Sequence, residues 1–313
     1  GLRVLNKIKQ IIREEMNALG AEEILMPALT PKDIWQKTGR WNEIDVLFKL
    51  KGAGDKDYAL GSTHEEVITP LVKKFAASYR DLPVALYQIQ DKFRDEPRAK
   101  SGLLRGREFS MKDLYSFHAS EEDLDEFYQQ AILAYHNVFN RCGLKARLVE
   151  ASGGVFSKYS HEFQVLTESG EDNIIVCQKC DFAQNKEICT LEPSQPCPSC
   201  GQPVELVKSI EVGNIFKLKT KFTEAFAYKY IDETGEHQPV LMGCYGIGPS
   251  RIMGAVAEVN HDSKGLIWPA ALTPFCAHLL LLDDSKKKQA DKLYQDLTKS
   301  GFEVLYDERT ESA

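Results

Sequence analysis

The chain has 313 residues, 43% of them hydrophobic and 27% charged, with a formal net charge of −7. That balance gives ample core for two domains and a small insertion, and it excludes a low-complexity chain or a protein that coats nucleic acid through general positive charge. The longest apolar runs, such as HLLLL at 278–282, fall far short of the roughly 20 residues that span a bilayer, and the amphipathic opening does not read as a signal peptide, so no membrane partner is expected and cytoplasm is the expected compartment.

Leu2, Leu5, Ile8, Ile12, Met16 and Leu19 recur at helical spacing, and Gly20 marks the helix end. EEILMPAL follows as a strand interrupted by Pro27, an edge feature. DVLFKL and DKDYAL read as a hairpin turned through GAG. STHEEVITPLVKKFAASY opens with Ser62 or Thr63 before acids, the signature of a capped helix. VALYQIQDKFRDE and RGREFSMKDLYSF are two strands around a Pro/Gly/Ser loop at 97–103, and SEEDLDEFYQQAILAYHNVFNRCG is an amphipathic helix with an acidic first turn.

A Cys-rich patch spans about 176–207. IEVGNIFKL and AFAYKYID then return to strand texture, and PVLMGCYGIG runs as a strand into the helix PSRIMGAVAEV. From 275, strand, helix and strand begin an α/β unit. Both ends break off mid-pattern, so the chain is expected to be a piece of a longer protein.

The densest chemistry lies in FRDEPRAKSGLLRGREF at 93–109, with Arg94, Arg98, Lys100, Arg105 and Arg107 in an otherwise acidic chain. Strand alternation sends Arg94 and Glu96 one way and Tyr87, Ile89 and Phe93 the other; Arg105, Arg107 and Phe109 share a face. A hairpin can therefore gather Arg94, Glu96, Arg105 and Phe109 around one cavity. Arginine forks suit phosphate or carboxylate, Phe109 offers a stacking surface, and Glu96 an acceptor for an exocyclic amine. Read alone, the same residues also describe a solvated, self-paired surface hairpin.

The second signal is CQKC at 177–180 and CPSC at 197–200, which is zinc-ribbon spacing. Cys177, Cys180, Cys197 and Cys200 would complete a tetrahedral Zn²⁺ site with no open position, hence a structural one. Cys189 lies between the pairs as a decoy, and the competing reading is a set of reduced spectator thiols.

KFRDEPRAKSGLLRGREFSMKDLYSFH resembles motif 2 of the class II aminoacyl-tRNA synthetases, and its wording is nearest the bacterial-type prolyl-tRNA synthetases. MGCYGIGPSR at 242–251 is similar to motif 3, LGAEEILMPAL to motif 1, GSTHEE to the T-x-E loop of prolyl enzymes, and SHEFQVLTESGED at 160–172 to a further prolyl-type segment. The resemblance runs through nearly the whole chain outside the Cys-rich insert.

It implies an α+β fold, the class II antiparallel sheet flanked by helices. The implied division is a catalytic domain at 1–175 and 208–271, a zinc-ribbon-like insertion at 176–207, and the start of an anticodon-binding domain at 272–313. The implied activity is ATP-dependent formation of prolyl-adenylate and transfer to tRNA(Pro), by a homodimer joined through motif 1. Arg94 would hold the α-phosphate and the L-proline carboxylate, Glu96 the adenine amine, Phe109 the adenine ring, Arg105 the phosphates and Arg251 the γ-phosphate. Gln164, Gly246 and Gly248 would complete the ATP site, with Mg²⁺ bridging the phosphates. Thr63, Glu65, His161 and Cys244 would line the proline pocket, Glu65 facing the secondary ammonium. Arg98 and Lys100 are left for pyrophosphate or the tRNA acceptor end.

Two features depart from the family. GVFSKY at 154–159 stands where small residues are usual. Only about thirty residues occupy the interval in which many bacterial relatives carry a large editing domain, so no editing of alanine in cis is expected. The rival readings are a synthetase paralogue without aminoacylation and a zinc-ribbon nucleic-acid-binding protein.

Overall fold

The computed structural model describes residues 1–309. Its frame is a nine-stranded sheet of β1 (Glu22–Glu23), β2 (Val84–Phe93), β3 (Glu108–His118), β4 (Ala146–Ser152), β5 (Tyr159–Leu166), β6 (Asp172–Cys177), β7 (Ala183–Asn185), β8 (Val204–Lys219) and β9 (Leu241–Ile247). The order is β1-β2-β3-β9-β8-β5-β4-β7-β6, with β8 also pairing β6. All pairings are antiparallel except β1 with β2 and β7 with β4. This is the expected α+β architecture.

Alternation along the strands separates two layers. Leu114 of β3 faces the helices, whereas Tyr115 and Phe117 face the opposite layer. On the helical side pack α1 (Leu2–Ala18), α2 (Glu121–Arg141) and α3 (Pro249–Val259). Val4, Ile8 and Ile12, Tyr135, Val138 and Phe139, and Ile252 and Val256 form one core against Phe163, Ile215 and Tyr245 of the sheet. The Ser120 hydroxyl caps α2 by accepting from the Asp123 N–H at 3.2 Å, and acids fill its first turn. The other face carries Met26, Ile68, Val72, Phe222 and Tyr228, and the candidate site opens there.

Several expected elements are shorter than their patterns. The strand around Pro27 is two pieces, β1 and Leu29–Pro31. Between them side-chain amides replace the ladder: the Met26 N–H donates to Gln88 Oε1 at 3.0 Å, and Gln90 Nε2 to the Met26 carbonyl at 2.6 Å. The hairpin is Lys49–Lys51 paired with Asp57–Leu60. The capped helix runs only Glu65–Lys73, and neither Ser62 nor Thr63 caps it, because the Thr63 hydroxyl is turned to Arg40. AFAYKYID is split between a helical turn, Lys221–Ala225, and a short strand, Lys229–Ile231. The boundary drawn at 207/208 falls inside β8, which runs unbroken out of the Cys-rich segment. Near the C-terminal end, β10 (Ala277–Leu280), α4 (Lys287–Lys299) and β11 (Val304–Asp307) form a parallel β-α-β unit.

Beneath the site lies a charged pair inside the sheet. Lys92 Nζ sits 2.8 Å from Asp113 Oδ1, and both residues are buried. Asp113 Oδ2 also accepts from Gln88 Nε2 at 2.9 Å and from the Tyr115 hydroxyl at 3.0 Å. Burial pushes the Lys92 pKa down, and Asp113 opposes that most strongly, with smaller support from Glu65 and Asp91. Asp113→Ala should therefore cost about 3–5 kcal/mol in urea unfolding by stranding a buried ammonium. Lys92→Met with Asp113→Asn should recover most of that loss; equal destabilisation by both variants would contradict the pairing.

Candidate functional site

The site is a cavity of about 240 Å³ that opens on the face opposite α1 and α2 and is bounded on one side by the first turn of α3. Arg94, Glu96, Arg105 and Phe109 all line it, as the hairpin reading required. Alternation along β3 brings Phe109 there with Met111, Asp113 and Tyr115, but Arg94, Glu96 and Arg105 lie outside the strands, since β2 ends at Phe93 and β3 begins at Glu108. Arg107, grouped with them by alternation, is instead a clip, donating through Nε to the Glu96 carbonyl at 2.9 Å and through Nη2 to the Pro97 carbonyl at 3.3 Å.

The Arg94 guanidinium lies 5.1 Å over the Phe109 ring and has no hydrogen-bond or ion-pair partner among the described residues. Burial, and then the like charge of Arg251, push its pKa down. Arg105 Nε donates to Glu96 Oε2 at 3.2 Å. The loop between them is fastened to Glu171, which accepts from the Ser101 hydroxyl and sits 3.4 Å from Lys100 Nζ. Arg98 is exposed.

The opposite wall comes from α3 and β8. Pro249 opens α3, so Arg251 sits in its first turn, just past Gly246 and Gly248 in the cavity lining. Arg251 Nε donates to the Leu104 carbonyl at 3.0 Å, and its Nη1 to Glu211 Oε2 at 2.9 Å. Gly254 permits that docking: a Cβ there would stand 2.8 Å from Leu104 Cδ2. Glu211 reaches the cavity because β8 shifts register between Glu211 and Gly213, a bulge that re-aims its side chain.

His161 alternates with Phe163 and Val165, both in the helix-side core; it pairs with Ile215 and faces the helices, its Nδ1 2.8 Å from the Tyr128 hydroxyl of α2, so it does not line the pocket. Gln164 pairs with Glu211 but is buried beneath it, donating to Glu162 Oε2 at 2.9 Å and Asp172 Oδ2 at 3.0 Å rather than lining the cavity. Those acids are uncompensated. Burial, with Glu211 next, pushes the Glu162 pKa up to about 7, and burial also raises that of Asp172.

At the closed end stand Thr63, Glu65 and Cys244, with Phe156 and Phe216 as an aromatic wall, their rings 4.9 Å apart. Phe156 belongs to GVFSKY and supplies bulk at this end. The Cys244 thiol donates to Glu65 Oε1 at 3.2 Å, and burial beside that carboxylate pushes its pKa well up, which keeps it a donor. The His64 N–H donates to the Tyr115 hydroxyl at 2.8 Å, tying the 63–65 turn to Asp113. Arg40 behind this wall, and Glu211, Asp113 and Tyr115 within it, were not singled out by the sequence. The available signal was a charge inside an apolar strand pattern, as in MKDLYSF and IEVGNIF.

The four sulfurs of Cys177, Cys180, Cys197 and Cys200 lie within 4.8 Å of one another, the pairs 177/200 and 180/197 at 3.4 and 3.6 Å. A tetrahedral Zn²⁺ with Zn–S of about 2.3 Å needs sulfurs about 3.8 Å apart, so the set fits. Cys189 packs into the small core beside them and is not part of the cluster.

Residues 48–260 match the family model of the tRNA synthetase class II core domain (G, H, P, S and T). The chain is 32% identical to the proline--tRNA ligase of Moorella thermoacetica and 34% to that of Bacillus subtilis, with 100% and 99% of it aligned to 81% and 82% of those proteins. These alignments run over 466 and 465 positions, more than 313 residues can fill, so the relatives hold internal sequence without a counterpart here. The fold matches a Giardia lamblia prolyl-tRNA synthetase in complex with prolyl-adenylate at TM-score 0.80 and 19% identity, all of this chain covering 59% of that one. A Cryptosporidium parvum prolyl-tRNA synthetase complexed with L-proline and AMP matches at 0.77 and 15%, with 58% of that chain covered.

The Glu162 shift has a pH signature. Folded protein keeps this proton up to about pH 7, whereas the unfolded carboxyl releases it near its ordinary value of 4.5, so stability falls as pH rises between the two. Without divalent cations, Glu162→Gln should gain on the parent from pH 5 to 8, on the order of 1–2 kcal/mol by thermal unfolding after solvent screening. A difference that stays flat across this range would contradict the shift.

Proposed function

The chain belongs to the proline--tRNA ligases of the class II aminoacyl-tRNA synthetases, and from that membership we propose that it joins L-proline to ATP as prolyl-adenylate and passes the prolyl group to tRNA(Pro). The observation that carries the reading is a separation of charge within one cavity. Among the described residues Arg94 has no counter-ion, while at the other end Glu65 and Glu66 share one ion-pair partner, Arg40. A small zwitterion fits between them, its ammonium on Glu65 and its carboxylate toward Arg94.

In this reading the amino-acid carboxylate oxygen attacks the α-phosphorus; the new P–O bond forms as the bond to the β-phosphate breaks, and pyrophosphate leaves with the electron pair. Such a displacement needs alignment and charge stabilisation rather than a protein nucleophile. Arg94 stabilises the α-phosphoryl oxygens, Arg105 and Arg251 receive the outer phosphates, and Phe109 with Glu96 seats the adenine. For the phosphates to reach these arginines, Glu96 and Glu211 must yield contacts they now make. Thr63, Glu65 and Cys244 form the proline end, with Phe156 and Phe216 in place of His161, and Gly246 and Gly248 bring bare backbone to the nucleotide.

Mg²⁺ would arrive with ATP and neutralise phosphate charge. Glu211, with Glu162 and Asp172 behind it, is the oxygen-donor set that suits a hard cation, and the raised Glu162 pKa marks their uncompensated charge. Zn²⁺ suits the four thiols and would act structurally. A homodimer through the motif 1 segment is supported by Leu25 and Leu29, 78% and 50% exposed there. No helix among the described residues is long and apolar enough to cross a membrane, and the proposed compartment is the cytoplasm. With about thirty residues in the insertion interval, alanine escapes editing in cis. An apolar pocket discriminates such a small difference by only about 1–3 kcal/mol.

Proline-dependent ATP–pyrophosphate exchange is the expected activity, and Arg94→Ala should lower it by about 10²–10³-fold or more; exchange that survives the substitution would overturn the assignment. Purified protein should carry one zinc, and Cys177→Ser should lose it and lower the melting temperature while leaving the KM for proline in place. Deacylation of alanyl-tRNA(Pro) by the purified protein would end the claim about editing.

A further inference from the structure

Behind the proline end of the cavity, and outside its lining, stands Arg40. Gly39, at φ 78°, turns the chain in the left-handed region and starts the single helical turn Arg40–Glu43, which drives the arginine inward to 2% exposure. Its Nη1 donates to Glu65 Oε2 at 3.1 Å and to both Glu66 oxygens at 2.9 Å, and its Nη2 to the Thr63 hydroxyl at 3.0 Å. Trp35, Phe156 and Phe222 box the guanidinium at 5.6, 4.9 and 5.4 Å from their ring centres. One side chain therefore touches both polar residues of the pocket end and Phe156 of its aromatic wall.

We infer that Arg40 is the positioning residue for amino-acid recognition: it orients the Glu65 carboxylate and the Thr63 hydroxyl toward the substrate ammonium, an inference that rests on the proline reading above. Three observations carry it. Glu65 Oε2 is taken by Arg40 and Oε1 only by the weak Cys244 thiol donor, so Oε1 is the atom left to receive an ammonium N–H. Glu65 and Glu66 are adjacent, fully buried and both ion-paired to this one guanidinium among the described residues, two carboxyl groups to one cation, an arrangement that an incoming ammonium would complete. The planar fork reaches four acceptor oxygens on three residues from one fixed position, which a lysine ammonium on a flexible stem cannot do. Without the guanidinium, two carboxylates would crowd one dry site, one would take up a proton, and Glu65 would lose its fixed direction.

The assignment separates the two substrates. Arg40 touches nothing on the nucleotide side, so its loss should act on proline alone. The variants are Arg40→Lys, which keeps the charge, and Arg40→Met with Glu66→Gln, which keeps the net charge of the buried cluster so that folding is retained. Both are measured in ATP–pyrophosphate exchange and by equilibrium binding of labelled proline, with thermal unfolding as the folding check. We expect the KM and Kd for proline to rise about tenfold or more in each, with the KM for ATP within about twofold of the parent. A folded variant with unchanged proline KM, or with both KM values rising together, overturns the positioning role. If only Arg40→Lys folds, it decides alone. Absence of proline binding and exchange in the parent protein would instead defeat the reading of the site itself.

Discussion

The structure turns on an arginine held without a counter-ion among the described residues. A desolvated charge is costly, and proteins ordinarily neutralise or pair it. Arg94 nevertheless stays free over Phe109 while carboxylates stand nearby, because each is held elsewhere: Glu96 by Arg105, Glu211 by Arg251, and Glu65 by Arg40. Those restraints are backbone-borne. β2 and β3 fix the two ends of the hairpin, α3 fixes Arg251, and Gly39 fixes Arg40. A rigid sheet thus keeps opposite charges from collapsing onto one another, and the cavity between them presents a cation toward one end and carboxylates toward the other.

The long strand β8 explains how a small insertion fits this plan. It leaves the cysteine cluster at Val204, pairs with β6 as far as Cys177, and continues as the strand bearing Glu211, Asn214 and Phe216. The insertion has only a small core of its own, around Ile175, Cys189 and Val204. Segments of that size fold when a metal joins their ends, since the binding energy becomes folding energy. The four thiols lie where they would fasten β6 to the start of β8, at the far end of a strand that reaches the site.

Much of this was legible because its chemistry is local. Residues 94–109 and 246–251 carry their functional groups within short spans, and the two C-x₂-C pairs predict their cluster by spacing alone. Alternation found the right four residues at the hairpin for an incomplete reason, since both strands end before the arginines and Arg107 turns to clip the loop. His161 was placed in the pocket by resemblance alone; alternation with Phe163 and Val165, which the apolar pattern of its own strand marks as core, turns it to the helices instead. Arg40 could not be read at all. Its partners are 23 to 26 positions away, and no local pattern marks an arginine that will be buried.

The central claim is that Arg94 and Glu65 receive the two ends of one activated amino acid. The most direct measurement is a crystal structure with a non-hydrolysable prolyl-adenylate mimic. The account predicts the proline nitrogen within hydrogen-bond reach of Glu65 Oε1, the phosphoryl surrogate on Arg94 and the adenine against Phe109. A mimic bound with its amine away from Glu65, or Arg94 paired with a protein carboxylate while the ligand is seated, would contradict it.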